Sequence, residues 1–504
     1  MDFYTNVVQW GNFLLVRGVD NNQRVNFRLK YKPTLFVPVM KQTDWKTLDG
    51  KSVTPYQFDC IKDAKDFLLK YESQPHLVHG LNRFAYTYIS DTFPQKVNWN
   101  IDKLLIMTID IEVQCENGFP NPESAIEPLL SITVKNQQSK KIIVWGIQPY
   151  KNTREDVTYI RCPNEHDLIM EFMSFWTKNY PDVITGWNTD FFDIPYLANR
   201  IKQVCGEDKM RELSPWKNVS SKQIYSMGRN HLMYDIMGVS QYDYLQLYQK
   251  FTYTRQESYK LDYIASVELG EKKDENPYET FREWYENDFQ SFIDYNIQDV
   301  EIVDKLEDKM GLIDLALTMA YEGKVNYSDV FGQVKYWDIL IYNFLRKRKI
   351  VIPQKSSHSK NEQYEGAYVK EPITGLHKWV MSFDLNSLYP HLIMQYNLSP
   401  ETLLKSCHQD ISVDDMLKGI KLNIPDKTTM TPNGALFRTD KQGFLPKMMQ
   451  ELYDERVVYK KKMLSAQQEY ENTKDKKYLK LISRYNNIQM ARKISLNSAY
   501  GAIG

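Results

Sequence analysis

Short apolar runs alternate with polar turns over the first hundred or so residues. "FLLVRGV" and "TLFVPVM" are bounded by Asn, Asp, Gly and Lys, which predicts a mostly β amino-terminal region. Three further apolar runs, "KLLIMTIDIEV", "LLSITVKN" and "KIIVWGI", have polar connections that suit a meander. The period then changes. Leu168, Ile169, Phe172, Met173 and Trp176 recur at helical spacing behind Asn164, an N-cap candidate. After Pro181, "DVITGW" reads as strand and "IPYLANRIKQV" as helix. Residues 219–239 read as a hairpin turning near Gly228 and Asn230, and about 284–320 as helix. Towards the carboxyl end, roughly 446–472 and 475–500 are helical segments rich in Lys, Arg, Glu and Gln. The linker "ENTKDKK" between them predicts an antiparallel helical hairpin.

Three strands, a helix, a strand and another helix make a mixed α/β layer, an order found in ribonuclease-H-like nuclease folds. A chain of 504 residues exceeds what one core supports, so two to four domains are expected. The 64 Lys and Arg equal the 64 Asp and Glu, so overall charge gives no vote for nucleic acid. A neutral total can still hide a basic groove beside an acidic site. Five cysteines without paired spacing fit a reducing compartment and argue against zinc or a disulfide framework. No apolar run approaches ~18 residues, and the start lacks a basic segment followed by an apolar one, which predicts a cytoplasmic chain with no membrane span.

Chemistry concentrates in a few acidic patches. In "TIDIEV", Asp110 and Glu112 lie two apart on an apolar strand and share one face, with Ile109, Ile111 and Val113 on the other. Two like charges on a buried strand call for a divalent cation, whereas on an edge strand they are simply solvated. "GWNTDFFDIPY" offers Asn188, Asp190 and Asp193 between strand and helix, and "YNIQDV" places Tyr295 and Asp299 four apart on one helical face. Either of these last two patches by itself is more often a cap or a solvated helix face. In this order, an acid pair, a third acid and a Tyr-x-x-x-Asp helix resemble the DEDD-type 3′-to-5′ exonucleases. That resemblance implies two magnesium ions held by Asp110, Glu112, Asp193 and Asp299, with Tyr295 orienting the attacking water.

Beyond residue 350 the chain resembles the family B DNA polymerases, most closely the replicative enzymes of tailed phages. "SYKLDYIASVELG" (258–270) resembles their exonuclease region, and "YEGAYV" (364–369) the loop between exonuclease and polymerase regions. "SFDLNSLYPHLIMQYNLSPETL", which is expected to place Asp384 at the end of an apolar strand and Tyr389 in a turn five positions later, resembles motif A, and "KISLNSAYG" (493–501) motif B. The resemblance implies two further magnesium ions bound by Asp384, and Tyr389 as a sugar gate. It implies template contact at Tyr364 and Gly366, and an incoming dNTP met by Arg456, Lys460, Lys493, Asn497 and Tyr500. Helical spacing agrees, because Arg456 and Lys460 share one face and so do Lys493, Asn497 and Tyr500. Without the motifs, the first pair reads as a solvated cationic face.

The family's motif C, Tyr-x-Asp-Thr-Asp-Ser, supplies a second carboxylate, and no such run occurs here. "HQDISVDD", with Asp410, Asp414 and Asp415, precedes the finger helices and lacks apolar flanks. The expectation is therefore an amino-terminal polymerase portion, split or truncated after motif B, whose partner polypeptide carries motif C, the remaining palm and the thumb. The expected domains are 1–104 with 312–355 returning to it, an exonuclease at 105–311, a partial palm at 356–442 and helical-hairpin fingers at 443–504. DNA primer-template, dNTPs and a sliding clamp are the implied partners, and a bacterial host's cytoplasm the implied location. The alternatives are a stand-alone 3′-to-5′ exonuclease and a non-catalytic nucleic-acid-binding subunit. Intact finger residues weigh against the first and the metal-binding acids against the second.

Overall fold

The computed structural model describes residues 1–504 apart from 116–117, 227, 253, 273–275, 355–369, 386, 407, 409–414, 416–417 and 504. They form two units, residues 1–31 with 85–336 and residues 32–84 with 337–504. Six strands open the chain. β1 (Phe3–Trp10), β2 (Phe13–Asp20) and β3 (Gln23–Lys30) are an antiparallel meander in the first unit. β4 (Thr34–Pro38), β5 (Trp45–Lys46) and β6 (Ser52–Gln57) form a sheet in the order β4-β6-β5 in the second. The β2–β3 loop is Asn21 and Asn22, with φ of 49° and 62°. A tight two-residue hairpin loop demands that left-handed backbone, and Asn tolerates it. Helices Ile61–Lys70 and Phe84–Thr92 follow the strands.

The first unit continues with β7 (Ile106–Val113), β8 (Leu129–Asn136), β9 (Ile142–Gly146), β10 (Val157–Arg161), β11 (Val183–Gly186), β12 (Val219–Ser226), β13 (Arg229–Ile236) and β14 (Ser240–Asp243). Six of these make one sheet in the order β10-β9-β8-β7-β11-β14. β8 runs antiparallel to both neighbours, and the other pairings are parallel. Helices Glu165–Lys178 and Asp193–Cys205 share a core with one face, where Leu168, Phe172, Trp176, Ile194 and Leu197 join Ile109 and Ile111. On the other face, Phe292, Ile293, Ile297 and Val300 of helix Phe289–Met310 pack with Leu130, Ile142 and Val144. Covering both faces explains why "LLSITVKN" does not alternate cleanly. The mixed, ribonuclease-H-like layer is thus present. Asn164 caps its first helix by accepting from the Asp167 amide at 2.9 Å.

Several elements differ from the sequence reading. β10 and β14 were not anticipated, being short and without alternation. The helix expected over 284–320 is three helices, Phe281–Asn287, Phe289–Met310 and Leu312–Gly323. Asp288 breaks the first junction by accepting from the Ser291 amide at 3.1 Å, and Gly311, at φ +61°, breaks the second. The predicted β12–β13 hairpin is present, with Gly228 at φ +82° in its turn.

In the second unit, Leu403–Lys405, Thr428–Met430 and Leu436–Arg438 form a small antiparallel sheet. Helices Phe444–Thr473 and Lys477–Ile503 make the predicted hairpin, the first ending at left-handed Lys474. Buried Arg492 ties them by an ion pair to Glu455 at 2.7 Å. One expectation is corrected: Asp384 does not end a strand. Residues 381–385 adopt no regular structure, and Met381, Phe383 and Leu385 are exposed. A strand requires a hydrogen-bonded neighbour, and no strand among the described residues pairs with this one.

Candidate active site

Pleating along β7 positions the first acids. Ile109 and Ile111 enter the core shared with helix Asp193–Cys205, so Asp110 and Glu112 emerge on the face covered by helix Phe289–Met310. Buried Asp299 meets them there. One oxygen from each of Asp110, Glu112 and Asp299 lies within 4.8 Å of the others. An all-carboxylate set at this spacing suits a hard divalent cation such as magnesium better than zinc.

Asn296, three residues before Asp299, fixes the first of these carboxylates. Its Nδ2 donates to Asp110 Oδ2 at 2.5 Å, while its Oδ1 accepts from Ser131 Oγ at 2.9 Å and from Thr133 Oγ1. Two hydroxyls on the carbonyl end leave the amide one orientation, with the N–H end toward the acid. Tyr295, part-buried beside it, packs edge-on against Trp284 with ring centroids 4.9 Å apart.

Asp193 stands next to the cluster and is not one of its three converging acids. Its Oδ1 accepts from the Ile111 amide at 3.1 Å, which ties its helix to β7 between Asp110 and Glu112. Burial pushes its carboxyl up to about 8, and the charges of Asp243 and Asp299 push the same way. Burial, and then Asp243, also raise Asp190. These shifts record burial first and neighbouring negative charge second, and a cation beside the carboxylates would offset both.

Asp243, at the end of β14, was missed in the sequence. Its Oδ1 accepts from the amides of Asn188 at 3.0 Å and Leu245 at 2.9 Å, and its Oδ2 from that of Asp190 at 3.2 Å. It therefore clamps the turn that leads to Asp193, in which Asn188 has φ +65°. Gly186 starts that turn. A Cβ there would strike the Ile109 carbonyl oxygen and the Thr189 side chain, so only glycine permits this approach to β7. Beside the turn, a cleft of about 520 Å³ has Phe119, Phe191, Phe192 and His231 among its walls. The Phe119 and Phe192 rings lie 5.0 Å apart, and those of Phe191 and His231 4.6 Å. Such flat surfaces accept an unstacked base.

The second unit brings together part of the other residue set. Tyr389, in the first turn of helix Leu388–Tyr396, stacks on Tyr500, with centroids 4.7 Å apart and planes 11° from parallel. Arg456 Nη1 donates to Ser387 Oγ at 3.4 Å. Lys460 and Asn497 are exposed and Lys493 is half-buried. Asp384 is exposed, and among the described residues it joins no cluster of three or more metal-ligating side chains. Tyr364, Gly366, Asp410 and Asp414 lie outside the described residues.

The family model for the exonuclease domain of DNA polymerase family B matches residues 82–264, and the model for DNA polymerase family B matches residues 331–504. The chain belongs to DNA polymerase family B. Among its family B relatives, the DNA-directed DNA polymerase of Escherichia phage RB69 is 34% identical over 94% of this chain and 55% of its own length. That of Enterobacteria phage T4 is 31% identical over 100% of this chain and 63% of its own length. The DNA polymerase delta catalytic subunit of Candida albicans is 29% identical over 82% of this chain and 39% of its own. The chain thus spans 55% to 63% of the two phage relatives. No helix among the described residues is long and apolar enough to cross a membrane.

Proposed function

We propose that this family B chain is the amino-terminal portion of a replicative DNA-directed DNA polymerase with a 3′-to-5′ proofreading exonuclease, acting in the cytoplasm of a bacterial host. The convergence of Asp110, Glu112 and Asp299 carries the nuclease half of this reading. Magnesium bound there, two ions with Asp193 completing the ligand set, would supply an acidified water and Lewis acidity at the leaving 3′ oxygen. Asn296 holds the Asp110 carboxylate in place, and Tyr295 orients the attacking water. The aromatic cleft receives the frayed 3′ end, since a mispaired base has less pairing energy to lose on unstacking. The hairpin β12–β13 borders that cleft and helps keep the strands apart.

For the polymerase half, the proposed division is an amino-terminal domain at 1–104 with 312–355, exonuclease at 105–311, partial palm at 356–442 and fingers at 443–504. Asp384 holds metal, Tyr389 excludes a 2′ hydroxyl, and Arg456, Lys460, Lys493, Asn497 and Tyr500 receive the dNTP over the primer-template. Tyr364 and Gly366 touch template. One carboxylate cannot hold two cations firmly, so a segment bearing motif C, which these 504 residues lack, completes the site. A sliding clamp is a further partner. The Tyr389–Tyr500 stack favours this reading over a stand-alone nuclease, which has no use for an assembled nucleotide pocket.

The test has two arms. With magnesium, the chain should shorten single-stranded DNA from its 3′ end, and Asp110→Ala with Glu112→Ala should abolish this; undiminished digestion by the double variant refutes the nuclease assignment. Primer extension should require an added polypeptide carrying motif C. Robust extension by the pure chain alone refutes that requirement.

A further inference from the structure

A second cavity lies in the first unit and shares no residue with the carboxylate cluster or the aromatic cleft. It holds about 440 Å³ and is lined by Trp10, Leu15, Arg28, Arg211, Trp216, Lys217, Asn218, Val219 and Met237. Strand register builds one wall. Trp10 pairs with Phe13 across β1–β2, and Leu15 with Arg28 across β2–β3. Trp10, Phe13, Leu15 and Arg28 therefore project from one face of the meander. Leu15 is buried as the floor, Trp10 is 53% exposed, and the Arg28 guanidinium rests 3.4 Å over the Phe13 ring. That cation–π contact holds the charge at the rim.

The facing wall is a pinned turn. The Lys217 amide donates to the Ser214 carbonyl at 2.9 Å, Ser214 Oγ donates to the Met237 carbonyl at 2.6 Å, and the Met237 amide donates to the Asn218 carbonyl at 3.1 Å. Gly238, at φ +92°, lets the Trp216 indole press in, since a Cβ there would stand 2.8 Å from Trp216 Nε1. Arg211 pairs with Glu207 at 2.8 Å, and Lys217 projects from a left-handed backbone at φ +53°.

Charge on the lining is one-sided. Three of its nine residues are cations and none is an acid, in a chain with equal numbers of each. An apolar floor, an exposed indole and a cationic rim that no lining carboxylate offsets select an anion joined to a flat ring. We propose that this cavity is a nucleotide-binding subsite, with the base against Trp10 and the phosphate met by Arg28, Lys217 and the remaining donors of Arg211. The volume lies within the range of small-ligand pockets. A free mononucleotide and one residue of a single strand share this chemistry.

The test uses the full chain in EDTA, which silences metal-dependent digestion. Two photoreactive probes are used, 5-iodo-deoxyuridine monophosphate and a tetranucleotide with a single 5-iodouracil, with the adducts mapped by peptide mass spectrometry. An adduct on the Trp10 peptide is expected, and Arg28→Gln with Lys217→Gln should reduce its yield roughly tenfold, with the melting temperature checked for both exposed substitutions. Labelling by the monophosphate assigns a free nucleotide, and labelling by the tetranucleotide alone assigns a strand. No Trp10 adduct with either probe, or a yield unchanged in the double variant, overturns the proposal.

Discussion

Tyr389 and Tyr500 lie 111 positions apart in the chain yet stack face to face, their centroids 4.7 Å apart and their planes 11° from parallel. Each is partly exposed, so the pair presents a rigid aromatic edge to solvent. Offset stacking adds about 0.5–1.5 kcal/mol beyond burial and holds Tyr389 in one rotamer. A sugar gate needs that stiffness, because exclusion of a 2′ hydroxyl is steric. In a polymerase reconstituted with motif C, Tyr389→Ala should raise ribonucleotide relative to deoxynucleotide incorporation by roughly tenfold or more. Tyr389→Phe, which keeps the ring, should leave the ratio near the parent's. Competition assays at a single template position measure this, and an unaltered ratio in Tyr389→Ala removes the gate role.

Asn296 touches Asp110 directly, and its other end is occupied by Ser131 and Thr133. Residues that orient a ligand typically cost 10–100-fold in metal affinity or activity when removed. Asn296→Ala should therefore weaken manganese binding, followed by calorimetry or electron paramagnetic resonance, by about that factor, and 3′ digestion in parallel. Truncating the two hydroxyls together should reproduce part of the loss. A loss of digestion with undiminished manganese affinity would point away from a positioning role.

Asp182 joins the amino-terminal meander to the central sheet of the same unit. Its carboxylate pairs with Arg17 at 3.2 Å and Arg24 at 2.9 Å, and accepts from the Leu105 amide at 2.9 Å. Arg17 is buried, and burial lowers its pKa against the pull of Asp182. Removing the acid leaves that guanidinium uncompensated, so Asp182→Ala should cost about 3–5 kcal/mol in urea unfolding. A loss under about 1 kcal/mol, the range of exposed pairs, would mean that water reaches Arg17.

Features set by local period were legible in the sequence. The alternation in "TIDIEV" put Asp110 and Glu112 on one face, and the cap at Asn164, the hairpin at Gly228 and the paired finger helices follow from residue types a few positions apart. Features set by distant partners were not. Asp243 ends a four-residue strand whose neighbour, β11, lies more than fifty positions earlier, so no local pattern marks it. Asn296 did leave a signal: it is a polar residue, fully buried, on the apolar stripe of Phe292, Ile293, Val300 and Val303. Asp384 shows the opposite failure, for its apolar neighbours satisfy a strand pattern while strand formation depends on a pairing edge that the described residues do not provide.

Glu307 links helix Phe289–Met310 to the start of Leu312–Gly323. It accepts from the Ile313 amide at 3.0 Å, the Asp314 amide at 3.3 Å and the Tyr244 hydroxyl at 3.0 Å. Burial nevertheless wins, raising its carboxyl from 4.5 to about 7. Between those values the folded chain keeps a proton that the unfolded chain has released, so stability falls as pH rises from about 4.5 to about 7 and is flat, for this group, outside that window. At about 1.4 kcal/mol per unit, the full effect is at most about 3.5 kcal/mol. Asp190 and Asp193 are also raised and slope the same way, so the informative quantity is the difference between parent and Glu307→Gln. The glutamine retains a carbonyl acceptor for the helix amides and cannot ionise. Urea unfolding at several pH values should show the variant gaining on the parent steadily across the window, and a constant difference would place the Glu307 carboxyl in contact with solvent.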